Sequence, residues 1–183
     1  MQLHTERLRI RPFLESDLHD MHEYCAQDGV GIYAGWAAHT SLEESEEILR
    51  DWMAEGHKHA IVWLENGKVI GHISIDPDSE EGRADTRELG CALHLQYHRK
   101  GIMTEAIKAV LTYLFTTENI QFVWACCFQS NMASKGMIEK CGFRLMQEGI
   151  FCSSSLDQEF SSYEYRMAKQ DWQAMSDGCV RVT

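Results

Sequence analysis

The sequence predicts a single α/β (α+β) domain, a mixed sheet with helices packed against it. Three observations carry this. Residues 87–115, RELGCALHLQYHRKGIMTEAIKAVLTYLF, pass from a short apolar strand through a basic turn with one glycine into a helical period. In that period Met103, Ala106, Ile107, Val110, Leu111, Leu114 and Phe115 recur on one face, with Glu105, Lys108 and Thr112 on the other. The run Gln121–Phe128 (QFVWACCF) is continuously apolar, as a strand buried on both faces is. Asn66-Gly67, between two strand-like runs, is the strongest hairpin signal in the chain.

The other elements follow in order. Leu3–Phe13 alternates Leu8 and Ile10 against Arg7, Arg9 and Arg11 and reads as the first strand, with Pro12 at its end. Ser16 is the expected N-cap of a helix running to about Gln27. Gly29–Trp36 (GVGIYAGW) is an aromatic-bearing loop. Ser41 and Glu44 form a capping box for a second helix through Ile48, Leu49, Trp52 and Met53. Ala60–Glu65 and Val69–Asp76 are the strands of the Asn66-Gly67 hairpin, and Pro77–Asp85 is an acidic loop. After the apolar strand, Asn131–Cys141 is a short helix with Gly142 at its C′ position. Phe143–Phe151 and Ser162–Met167 are the last two strands. From Lys169 the chain is a short helix or a tail.

At 183 residues the chain is long enough for one domain with a real core. No apolar run is long enough to cross a bilayer, and MQLHTERLRI has no apolar signal segment, so a cytoplasmic protein without membrane partners is expected. The net charge of −11 argues against nucleic acid, whose phosphates demand a basic face, and favours approach of a cation. Seven cysteines without CxxC spacing read as reduced thiols. The histidines His57/His59, His19/His22 and His94/His98 lack clustered ligands, so no metal is expected.

Functional content concentrates in the turn before the long helix. The first N–H groups of a helix have no intrahelical partner, and the helix dipole adds positive potential at the same place. A basic glycine turn there can seat a phosphate or diphosphate. The spacing is neither a Walker loop nor a dinucleotide fingerprint.

YHRKGIMTEAIKAVLTYLF followed by NMASKGMIEKCGF resembles the GNAT superfamily of acetyl-coenzyme A N-acetyltransferases, most closely its RimJ/RimL-like branch. RELGCALH, TERLRIRPFLESDL and NGKVIGHISI fit that branch too, so the resemblance covers most of residues 4–168. It implies an acetyltransferase domain over 1–170 with a C-terminal tail over 171–183, and a mostly antiparallel sheet splayed in the middle and flanked by helices on both faces. It also implies an acetyl-CoA-dependent enzyme with no metal. The N–H groups around His98, Arg99, Lys100, Gly101, Ile102, Met103 and Thr104 would hold the cofactor diphosphate. The pantetheine arm would lie along Leu93, His94 and Leu95, with Asn131 touching the cofactor.

Of the superfamily loop pattern Q/R-x-x-G-x-G/A, only Gly101 matches, His98 and Met103 standing at the other positions. Ile138 stands where many members carry a tyrosine that protonates the leaving thiolate. The resemblance makes Glu88 the base and Ser134 the acid. Tyr33 and Trp36 would line the acceptor pocket, whereas Trp52 reads better as core. The acceptor would be a small-molecule amine, a polyamine or a protein N-terminus, and a homodimer is one assembly in view. The competing reading is a catalytically weak acyl-CoA-binding sensor, which the missing tyrosine motivates.

Overall fold

The computed structural model describes residues 1–78 and 81–178. Among these, eight strands and five α-helices follow in chain order: β1 (Leu3–His4), β2 (Leu8–Pro12), α1 (Leu18–Cys25), α2 (Leu42–Glu55), β3 (Lys58–Trp63), β4 (Val69–Pro77), β5 (Thr86–Leu93), α3 (Ile102–Thr116), β6 (Phe122–Phe128), α4 (Met132–Lys140), β7 (Arg144–Ser153), β8 (Gln158–Ala168) and α5 (Lys169–Gly178). Short 3-10 turns occupy Glu15–Asp17, Ile32–Ala34 and Leu95–Tyr97. Of the acidic loop, residues 79–80 lie outside the described residues, as do residues 179–183 of the tail.

The strands form one sheet in the order β1-β2-β3-β4-β5-β6-β8-β7. Neighbours are antiparallel except β5 and β6, which are parallel. A parallel pair cannot be joined by a tight turn and needs a crossover, and α3 is that crossover. Its apolar stripe from Ile102 to Phe115 is buried in the larger core, against Leu8, Ile10, Ile73, Leu89, Val123 and Tyr165. The smaller core lies on the opposite face, where Met21, Tyr24 and Leu49 from α1 and α2 meet Ala60, Val62 and Ala92. Helices therefore cover both faces.

The β5–β6 ladder is short. Its pairs run from Thr86↔Phe122 to Leu89↔Ala125 and stop there. Beyond that point β5 continues on β4 as far as Gly71↔Leu93, and β6 continues on β8 as far as Phe128↔Ser162. The sheet is thus split in the middle, rooted at Leu89 and opening toward Leu93 and Phe128.

The structure corrects several local expectations. Leu3–Phe13 is not one strand: the Thr5 N–H donates to Leu8 O and the Leu8 N–H to Thr5 Oγ1, folding β1 back on β2. Ser16 does not cap α1. The Asp17 carboxylate takes the Leu14 N–H at 2.8 Å and pairs with Arg11 at 2.6 and 2.8 Å, which makes a 3-10 turn before the helix. Helix α1 also stops at Cys25 rather than about Gln27. Ser41 does cap α2, accepting the Glu44 N–H at 3.2 Å, but Glu44 reaches back to the N–H and hydroxyl of Thr40, one residue further than a capping box. From Lys169, where a short helix or a tail is expected, the chain forms the helix, α5, and its Trp172 packs on Phe115 at 5.5 Å between ring centroids.

Candidate active site

At the open end of the split, β5 runs into the basic turn and then α3. Backbone groups in an antiparallel strand face alternate sides. The His94 N–H bonds back to Ile70 O of β4 at 2.8 Å, so the groups of Leu93 face the split. The Leu93 carbonyl accepts from the His98 ring at 2.9 Å. The Leu95 N–H donates to Gln27 Oε1 at 3.0 Å. The Leu93 N–H is therefore the group of this stretch left facing the cleft. The buried His94 side chain turns to α1, where Nε2 lies 3.1 Å from Glu23 Oε1, while its Nδ1 accepts the Gln96 N–H.

The turn itself has an unusual backbone. Gly101 sits at φ 74° and Arg99 at φ 60°, a left-handed conformation few residues other than glycine adopt. Such local strain is retained where it serves a purpose. Among the described residues, no N–H of Arg99, Lys100, Gly101, Ile102, Met103 or Thr104 donates to a protein acceptor, and α3 has no side-chain cap. The side chains of Ile102 and Met103 are buried in the core, so only their backbone can meet a ligand. This explains why a methionine can stand at the last loop position, where the family pattern has glycine or alanine. Arg99 and Lys100 are exposed at the same mouth.

No local pattern points to the brace behind this turn. Glu105, read as a solvent-facing helix residue, takes the Thr5 hydroxyl at 2.5 Å, the Arg7 N–H at 3.1 Å and the Arg7 guanidinium at 2.7 Å. Arg7 also donates to the Lys100 carbonyl at 3.0 Å. Burial raises the Glu105 pKa, but the hydrogen bonds from Thr5 and Arg7 and the charge of Arg7 outweigh it, and the net shift is downward. The partners lie 98 and 100 residues apart, beyond any periodicity.

Glu88 lies one residue before the root of the split, level with Asp76 of β4 and Trp124 of β6. It shares a sheet face with Trp124 and Cys126, and Cys126 is level with Glu164 of β8. Burial, then the nearby Glu164 and Glu88, push the Cys126 thiol well up, so it stays protonated. The 3-10 turn Ile32–Ala34 lies against β5 and β6. It brings exposed Tyr33 and half-buried Trp36 to the region of the split. Gly35 pins the loop: its carbonyl accepts from Ser153 at 2.7 Å and Ser155 at 3.2 Å. Trp52, by contrast, packs on Phe13 and His72 as a core residue.

On the β6 side, Asn131 caps α4, its Oδ1 accepting the Ser134 N–H at 3.0 Å. Ser134 is half-buried in the first turn of that helix. Ile138 is buried in the large core beneath α4, so this position packs and offers no acid. Among the described residues no three His, Cys, Asp or Glu side chains converge as metal ligands would, and no helix is long and apolar enough to cross a membrane.

The described residues thus place a split sheet beside a helix whose leading amides have no acceptor among them, an arrangement able to seat a phosphate group. A family model for the acetyltransferase (GNAT) domain matches residues 7–144. The chain belongs to the GNAT acetyltransferases, a family of enzymes that use acetyl-CoA. It is 26% identical over 174 residues to the uncharacterized N-acetyltransferase YnaD of Bacillus subtilis strain 168, covering 94% of this chain and 99% of that protein. A GNAT-family acetyltransferase from Bacillus anthracis superposes with a TM-score of 0.81 at 26% identity, over 93% of this chain and 99% of that one. Two structures share the fold at lower identity. Spermidine N-acetyltransferase from Vibrio cholerae, in complex with CoA and spermine, has a TM-score of 0.76 at 15% identity, covering 92% and 99% of the two chains. Ribosomal-protein-S5-alanine acetyltransferase from Vibrio fischeri has 0.73 at 18%, covering 94% and 98%.

Proposed function

We propose that the protein moves the acetyl group of acetyl-CoA to a primary amine by direct attack, with both substrates bound across the split sheet. The observation that carries this reading is the row of N–H groups from Arg99 to Thr104, without acceptors among the described residues, at the mouth of that split. They would hold the diphosphate, with Arg99 and Lys100 adding charge. Bound there, acetyl-CoA supplies an activated thioester. The Leu93 N–H would polarise its carbonyl, and the side-chain N–H₂ of Asn131, whose oxygen caps α4, would steady the pantetheine arm.

Glu88, at the root of the split, would take the proton of the incoming ammonium group, directly or through water. Ser134, in the first turn of α4, would orient or relay a proton toward the departing thiolate, since Ile138 cannot. Tyr33 and Trp36 would form the acceptor wall. Holding both substrates in register would supply much of the rate whichever side chains assist.

The acceptor is a small amine, a polyamine or a protein N-terminus. A net charge of −11 supports a cationic one. The fold neighbours that act on spermidine and on a ribosomal protein support the same range, and the latter supports placement in the RimJ/RimL-like branch.

The experiment is incubation of the protein with acetyl-CoA and a panel of amines while free thiol is followed. Amine-dependent thiol release is expected. Tight CoA binding with no release above the amine-free rate for any amine would favour the sensor reading, to which the buried Ile138 lends its support.

A further inference from the structure

We infer that Arg7, on the N-terminal hairpin, is a positioning residue for the cofactor site: it aims the Gly101 N–H and masks the charge of Glu105. The inference rests on the assignment of residues 99–104 as the diphosphate seat.

Arg7 Nη1 holds the Lys100 carbonyl at 3.0 Å. In a trans peptide the carbonyl and the following N–H point in opposite directions, and the described chain has no cis peptide. Fixing the Lys100 carbonyl toward β2 therefore turns the Gly101 N–H the other way. The Gly101 carbonyl is fixed in turn by the Glu105 N–H at 3.0 Å, which orients the Ile102 N–H. Two consecutive peptide planes of the turn are thus set by named bonds, the first supplied by Arg7. The left-handed residues on either side of Lys100, Arg99 and Gly101, show what the bracing has to maintain.

The second role is electrostatic. Glu105 lies in the first helical turn of α3, where a carboxylate would oppose a diphosphate. Arg7 neutralises it with a two-point pairing, both Nε and Nη2 lying 2.7 Å from Oε2. The guanidinium stays close to the turn, Nη2 lying 3.8 Å from where a Gly101 Cβ would stand. Its plane rests over Trp63, which meets Tyr97, over whose ring Lys100 lies. A lysine offers one nitrogen where Arg7 uses three, Nη1 on the carbonyl and Nε and Nη2 on the carboxylate.

The test compares CoA affinity by calorimetry with the unfolding midpoint of the unliganded protein for Arg7→Met, Arg7→Lys and Glu105→Gln. Arg7→Met is expected to weaken CoA about tenfold or more, and Arg7→Lys to recover little of it. Glu105→Gln keeps a side-chain oxygen to accept from Arg7 while removing the opposing charge, and is expected to leave CoA binding no weaker, although its midpoint falls. A clamp that merely holds the fold would rank affinity and midpoint alike across the three variants, and that result overturns the inference. So does unchanged CoA affinity in Arg7→Met while the wild type binds. A wild-type chain that does not bind CoA overturns the cofactor assignment itself, and this role with it.

Discussion

Gly35 offers the sharpest test of the acceptor side. It sits at φ 81°, and a Cβ added there would fall 2.5 and 2.9 Å from two carbons of the Phe151 ring. That ring cannot simply retreat, because Phe151 packs on Phe128, which is stacked on Phe160 at 4.3 Å. In Gly35→Ala the left-handed backbone alone costs about 1–2 kcal/mol. Lifting the loop off β7 also breaks the Ser153 and Ser155 hydrogen bonds, at about 0.5–1.5 kcal/mol each. The sum, roughly 2–5 kcal/mol, is local to one loop. The loop lies against β5 and β6, and among the described residues none of its hydrogen bonds goes to the turn at 99–104. The expected result is a fall in kcat/KM for the amine of at least about thirtyfold, taking the low end of that range, with CoA affinity within about twofold. Thiol release against amine concentration and calorimetry with CoA read the two quantities separately. If kcat/KM for the amine is unchanged, the loop is not an acceptor wall. If CoA affinity falls in parallel, the damage is general.

Other outcomes follow from the same geometry. Glu88→Gln should lower kcat by about a hundred- to ten-thousand-fold with CoA affinity retained, measured by steady-state thiol release; full activity would remove Glu88 as the base. Ser134→Ala should cost no more than about tenfold in kcat, since a hydroxyl that orients water can be partly replaced by another water; a larger loss would make it the acid outright. Gly101→Val should abolish measurable CoA binding, because a β-branched residue resists φ 74° and would turn the N–H groups away; unchanged affinity would move the diphosphate elsewhere. Acid should destabilise the fold through His72, which burial holds neutral down to a pKa of about 3 while its ring meets the Tyr24 hydroxyl. The unfolded chain binds that proton near pH 6.5, so stability should fall as pH drops from about 6.5 toward 3, by up to about 1.4 kcal/mol per pH unit. Denaturant melts of the wild type and His72→Gln would show it as a shallower slope in the variant.

What could be read from the chain was what short-range pattern encodes. The change from apolar strand to helical period across Gly101 located β5 and α3 to within a residue or two, because both ends carry their own signals. Asn66-Gly67 marked its hairpin for the same reason, and the unbroken run at Gln121–Phe128 marked a central strand. What escaped was set by long-range contact. Nothing near Glu105 foretells Thr5 and Arg7, and nothing in β5 or β6 foretells that their ladder ends at Leu89 and Ala125. Thr5 broke the first strand by bonding to its own neighbours, and Asp17, paired with Arg11, bonded the Leu14 N–H and set a 3-10 turn ahead of α1, so that Ser16 fell inside the turn instead of capping the helix. The split and the brace behind the basic turn were legible only once distant segments met.

Strand β8 lies between β6 and β7, so the sheet is finished by insertion rather than by adding to its rim. Until residues 158–168 arrive, β6 presents a hydrogen-bonding edge flanked by Val123, Trp124, Ala125 and Cys127, all largely dehydrated in the finished protein. A nascent chain released before that point would expose a sticky template for other strands. Completion of the sheet and protection of that edge are therefore the same late event in folding.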